Sequence, residues 1–306
     1  MVRKVLRNSL GEKEPAENEN KLLNSVRQRV ANWNLSAPFY GESSGPNKSS
    51  EARSTEAVLN ALVLADANTS RGELNSEALA AFENMWALQT RSGDQKGSWD
   101  WLDFGNEPFE STDSRYYGAG LAALAAGKAP ASYRERPDVR NHLSLLRGYI
   151  GREVGRQPVI HRVVSLWAST GVPDLLTPEE KKSIIDEILS SQQSDGGWSL
   201  STLGWTWRGS GTRTLYNIWF RSNDTPWVRK SDGYATGLIV HVLQLSGFNR
   251  EDARLQRGRR WLIEHQDKSK GFWPGYSLVN RRNPGSGTGL FMTDAATAYA
   301  VLALSD

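Results

Sequence analysis

The chain has 306 residues, 38% of them hydrophobic, a mean hydropathy of −0.54 and a formal net charge of +3. That length is ample for one core, and the composition is that of a soluble protein with no run of 18 apolar residues to span a membrane. No cysteine is present, which excludes disulfides, and the basic residues are dispersed, with Arg259-Arg260 and Arg281-Arg282 only pairs, so nucleic-acid binding has little support.

Residues 1–20 are polar and charged, carry no apolar segment of signal-peptide type, and are expected to form a disordered lead. Leu22, Val26 and Val30 recur at helical spacing, so 21–33 is expected to be a first outer helix. Residues 36–50, rich in Ser, Gly and Pro, are expected to be a loop. Beyond them two helix types alternate. Segments 55–65, 113–126, 232–245 and 294–304 are apolar nearly all round and rich in small residues, the pattern of a buried helix. Segments 76–89 and 178–193 are amphipathic; the second sets Ile184, Ile185, Ile188 and Leu189 against Glu179, Glu180, Lys181 and Lys182. Segments 136–151 and 159–170 form a further outer and inner pair. The alternation predicts an all-α fold with an inner and an outer ring of five or six helix pairs, in a single domain over 21–306.

Three amphipathic stretches end in one short pattern. Its fullest copy runs from Arg257 through Gly258, Trp261, Leu262, Gln266 and Gly271 to Trp273. A second is Gln193-Ser194-Asp195-Gly196-Gly197-Trp198, and a third is Gln89 followed by Gly97-Ser98-Trp99. A repeat of this size implies similar units stacked side by side. Gln is expected to donate to the last carbonyls of its helix, Gly to make the left-handed turn that stops it, and Trp to lie flat over the helix end.

This pattern resembles the QW motif of the triterpene cyclases, such as squalene–hopene cyclase, over roughly residues 55–306. The resemblance implies an (α/α) toroid. It also implies an acid that protonates an isoprenoid, in an Asp-x-Asp-Asp-Thr stretch opening an inner helix, with aromatic rings facing the cations that follow. The nearest match is Thr293-Asp294-Ala295-Ala296-Thr297-Ala298, where the acid position falls on Ala295 and Asp294 stands one place away. No Asp-Asp pair occurs, the four His residues lack metal-ligand spacing, and no cofactor or metal is expected. The absence of cysteine separates the chain from the zinc-dependent protein prenyltransferases and the thioester domains of similar architecture.

Long connections at 99–112, 199–231 and 274–293 each follow a copy of the repeat, cross the same end of the ring and are rich in aromatics. That mouth is the expected ligand site. Asp113, Asp232 and Asp294 each open a predicted inner helix and are the candidate acids, although Asp at such a position is also a preferred cap. Arg115 is placed to pair with Asp113. The candidate substrate-binding rings are Tyr116, Tyr117, Trp167, Tyr234 and Tyr299 on inner helices, with Trp205 and Trp207 in the connection between 199 and 231. Three functions stay open. One is a cyclase-like enzyme for a hydrophobic isoprenoid-like small molecule. The second is a non-catalytic toroid that binds a hydrophobic ligand or partner protein. The third is a carbohydrate-active toroid using Glu56 and Asp113. The single ring leaves room for a second toroid or a homo-oligomer, and for peripheral contact with a membrane.

Overall fold

The computed structural model describes residues 2–68, 72–204, 230–278 and 283–305. Regular structure among the described residues is helical, with one isolated bridge between Asn106 and Glu110. The α-helices in order are α1 (Val2–Leu10), α2 (Glu17–Ala31), α3 (Lys48–Asn68), α4 (Ser76–Ala87), α5 (Ser114–Lys128), α6 (Ala131–Arg134), α7 (Pro137–Glu153), α8 (Val159–Ala168), α9 (Pro178–Ser190), α10 (Leu200–Leu203), α11 (Gly233–Leu245), α12 (Ala253–Glu264) and α13 (Gly287–Leu304).

The buried helices pack one on the next in chain order: α3 on α5, α5 on α8, α8 on α11 and α11 on α13. Amphipathic helices cover them from outside, with α4 on α3, α7 on α5, α9 on α8 and α12 on α11. Their apolar stripes, such as Ile184 and Ile188 of α9, are buried in one continuous core. Small residues set the closest approach. A Cβ on Gly237 of α11 would lie 2.5 Å from the Ala300 nitrogen of α13, so only glycine lets these two backbones meet.

Three segments differ from expectation. The lead holds helix α1, which packs on α13 and is tied to α2 by the Arg7–Glu19 ion pair at 3.0 Å. Val2, Val5 and Leu6 give α1 a short apolar face that the polar average of the segment hides. Helix α3 starts at Lys48, inside the expected loop, where Lys48 and Glu51 form a buried pair at 2.6 Å. Helix α13 starts at Gly287, where the Ser286 hydroxyl accepts from the Gly289 amide; Asp294 therefore lies two turns inside it. By length and composition α13 is apolar enough to cross a membrane, and here it packs against α11 and α1.

The three repeat copies share one set of bonds. Each indole N–H donates to a carbonyl in the last turn of the preceding outer helix: Trp99 to Met85 (2.6 Å), Trp198 to Ile188 (2.8 Å) and Trp273 to Leu262 (2.8 Å). At about 25 cal/mol per Å² and 150–250 Å² per ring, each buried indole contributes on the order of 4–6 kcal/mol before entropy. The glutamine acts elsewhere than expected. Its amide donates to the carbonyl of the repeat glycine: Gln89 to Gly97 (3.3 Å), Gln192 to Gly196 (2.8 Å) and Gln266 to Gly271 (2.9 Å). Gln89 also reaches the His142 carbonyl of α7 (3.1 Å), and Gln192 the Arg254 carbonyl of α12 (2.7 Å), so each bridges to the next outer helix. In the second copy the repeat glutamine is thus Gln192, and not Gln193. Adjacent glutamines made the register ambiguous in sequence.

Gly97, Gly196 and Gly271 all have left-handed φ, at 101°, 93° and 75°. A Cβ on Gly97 would sit 2.1 Å from the Leu145 carbonyl oxygen of α7, whereas one on Gly93, with φ 70°, meets nothing within 4 Å. Gly93→Ala should therefore lose about 1–2 kcal/mol from backbone strain alone. Gly97→Ala adds overpacking and should lose at least about 3 kcal/mol. Urea unfolding followed by far-UV circular dichroism measures both, and equal losses would mean that the approach to α7 contributes nothing.

Candidate functional site

The connection from Trp99 to Thr112 folds into the open face of the buried helices and is fastened at several points. The Trp101 indole donates to the Phe109 carbonyl (3.0 Å), and the Ser114 hydroxyl of α5 donates to that of Pro108 (2.8 Å). His161 of α8, fully buried, places Nε2 2.6 Å from the same Pro108 carbonyl, which can only accept. Burial holds His161 neutral, with its pKa lowered from 6.5 to about 4. His161 thus anchors a loop.

Beneath this loop lies a cavity of about 600 Å³, within the usual size of small-molecule sites. Thr55 and Leu59 of α3, Tyr117 and Leu121 of α5, Tyr234 of α11, and Ala295 and Tyr299 of α13 form its helical walls. Trp101, Phe109 and Tyr276 line it from the connections. The rings touch in series. Phe109 lies 5.1 Å from Tyr117 and 5.9 Å from Tyr234, and Tyr234 meets Tyr299 edge-on at 4.9 Å. The Tyr234 hydroxyl interacts with those of Tyr117 and Tyr299, and burial raises all three phenol pKa values, so the cluster is neutral.

Of the expected rings, Tyr117, Tyr234 and Tyr299 line this cavity. Trp167 stands behind Tyr299, edge-on at 6.3 Å. Tyr116 points the other way, buried toward Tyr149 of α7 at 6.3 Å. Trp205 and Trp207 lie outside the described residues. Phe109 and Glu107, which the sequence did not single out as site residues, complete the wall. Position in a long aromatic connection was the one signal for Phe109, and nothing marked Glu107.

None of the three candidate acids lines the aromatic cavity. Asp294 is exposed. Asp113 is exposed, makes no cap bond, and does not pair with Arg115, whose partner is Asp100 at 2.6 Å. Asp232 is buried and borders a neighbouring cavity of about 670 Å³. Its carboxylate is committed to backbone: Oδ1 accepts from Ala235 (2.8 Å) and Oδ2 from Leu200 (2.6 Å). The next repeat explains this role. Thr236 accepts from the Trp198 amide as Thr297 does from Trp273, and Thr293 accepts from Gly275 where Asp232 accepts from Leu200. A neutral hydroxyl stands in for the carboxylate, so the position is a backbone clamp. Glu56, the other carboxylate considered, is held by both ends of Arg29 at 2.7 Å.

A groove of about 840 Å³ between α6 and α7 is larger but lies on the surface, among Arg134, Arg140 and Glu135. No group of three or more metal-ligating side chains comes together among the described residues. No protein-family model matches the chain, and no curated protein matches it either.

Two buried groups titrate in opposite senses. His161 at about 4 lies below its free value of 6.5, so the unfolded chain binds the proton first. Its contribution is complete above pH 6.5 and is lost as pH falls to about 4. Burial raises Asp232 from 3.8 to about 6 against its backbone bonds, so the folded chain binds the proton first and gains stability as pH falls through 6. Each effect is worth about 3 kcal/mol. From pH 6.5 to 4, the stability advantage of wild type over Asp232→Asn should widen by about that amount, and its advantage over His161→Gln should narrow by the same. Denaturant unfolding across this range tests both signs.

Proposed function

We propose that this chain is an α/α toroid of terpenoid cyclase-like repeats that binds an apolar, isoprenoid-like small molecule in its aromatic cavity. The observation that carries this reading is the array of Trp101, Phe109, Tyr117, Tyr234 and Tyr299 lining one cavity with none of the candidate acids in its wall. Such a wall removes a hydrocarbon from water at little polar cost and holds it by ring contacts.

Proton-initiated cyclisation needs a carboxyl that is protonated and aimed at the substrate. Burial raises the Asp232 carboxyl to about 6, but two backbone amides occupy it and it borders the adjacent cavity. A glycosidase needs two carboxyls about 5–10 Å apart across a groove. Glu56 is locked to Arg29, and Asp113 stands exposed.

Titration of intrinsic tryptophan fluorescence with farnesol and with squalene tests the reading. Saturable binding is expected, weakened about tenfold by Phe109→Ala or Tyr234→Ala. The same mixtures, extracted and resolved by gas chromatography–mass spectrometry, should return unchanged ligand. A cyclic product would replace the binding reading with the cyclase one.

A further inference from the structure

Helices α3 and α13 are the two ends of the buried series. Each packs on its inner neighbour, α5 and α11 respectively, and the two face each other across the aromatic cavity, with Thr55 and Leu59 on one side and Ala295 and Tyr299 on the other. The N-terminal hairpin joins the same two ends. Helix α2 belongs to the α3 end: it packs on α3 and α4, and Arg29 grips the buried Glu56 carboxylate with two bonds of 2.7 Å. Helix α1 belongs to the other end. It packs on α13, and paired bonds from Arg7 to Glu19 at 3.0 and 3.1 Å join it back to α2. We propose that α1 is a releasable latch: shut, it holds α13 in place as a cavity wall, and released, it lets α13 move away from α3 and opens the cavity between them.

Burial sets which part gives way. Fourteen of the 21 residues of α3 are buried. In α1, residues 2–7 are half-buried and Leu10 is exposed. A helix of 9 residues takes its order from what it docks on, and one with so little burial opens at lower cost than the core. The hinge is present: residues 11–14 are exposed, and Gly11 takes the left-handed turn, at φ 67°, that follows α1. The Arg7–Glu19 fork supplies the catch. Its two side chains are only 13% and 19% exposed, so the pair is screened less than a surface one and fixes how α1 sits against α2. The Arg29–Glu56 fork keeps α2 on the core when α1 lifts. A ligand in the cavity would join the same two ends as the latch, so each would favour the other, but the latch itself rests on no ligand.

The test uses the full chain. The sequence has no cysteine, so Ala295→Cys places a single thiol in the cavity wall on α13. Its rate of alkylation by a bulky maleimide reports opening, and amide exchange followed by mass spectrometry reports the freedom of α13. In the Ala295→Cys background, Arg7→Glu and Glu19→Arg should each speed alkylation and α13 exchange about tenfold, while α5 and α8 exchange as before. The double swap Arg7→Glu/Glu19→Arg should restore both rates. Unchanged rates in the single swaps overturn the latch. Faster exchange throughout α5 and α8 overturns it as well, because the swaps then loosen the whole core, and so does a double swap that restores neither rate. None of these results bears on the apolar-ligand reading.

Discussion

The indole-to-carbonyl bonds at the ends of α4, α9 and α12 determine where the rest of the chain can go. An outer helix leaves its last carbonyls without partners, and a tryptophan arriving from ten to fourteen residues downstream takes one of them. That single bond stops the helix, turns the chain inward and commits a large ring to the core. The repeat glutamine then fastens the turn to the neighbouring outer helix through the Gly97 and Gly196 carbonyls in the first two copies. The described parts of the connections that follow Trp99 and Trp273 both reach the aromatic cavity, through Trp101 and Phe109 and through Tyr276 and Leu278.

Acidic residues in this scaffold work mainly for the backbone. Asp232 clamps the chain after Trp198, Glu51 accepts from the Asp103 amide, and Asp195 receives the Trp261 indole and the Gly197 amide. Each is stabilised by donors that a catalytic acid would have to give up. Around the aromatic cavity, burial keeps the imidazole of His161 and the phenols of Tyr117, Tyr234 and Tyr299 neutral.

The alternation of apolar and amphipathic helices was legible because periodicity reports directly on burial, and the order α3, α5, α8, α11, α13 follows it. Helix starts were less legible. Ser286 caps α13 two turns before Asp294, and the apolar residues that followed Asp294 masked the earlier, glycine-rich first turn. Rings on helices divided by a geometry that spacing alone does not resolve. Tyr116 and Tyr117 are neighbours in sequence, yet one packs toward α7 and the other lines the cavity. The acids misled for a physical reason: a helix N-terminus favours Asp whether or not anything reacts there. Glu107 carried no pattern at all, since its place in the wall depends on how the loop is fastened by His161 and Ser114.

The cavity draws its wall from Thr55 and Leu59 of α3 and from Ala295 and Tyr299 of α13, the first and last of the buried series. In a linear stack of repeats, terminal units fray independently, since each rests on one neighbour only. A molecule seated between α3 and α13 joins those two terminal units to each other. Fraying of either would then forfeit the ligand's contacts with both. Occupancy by the proposed ligand would convert a row of locally stable units into a single cooperative one, with slowed amide exchange in α3 and α13 as its signature.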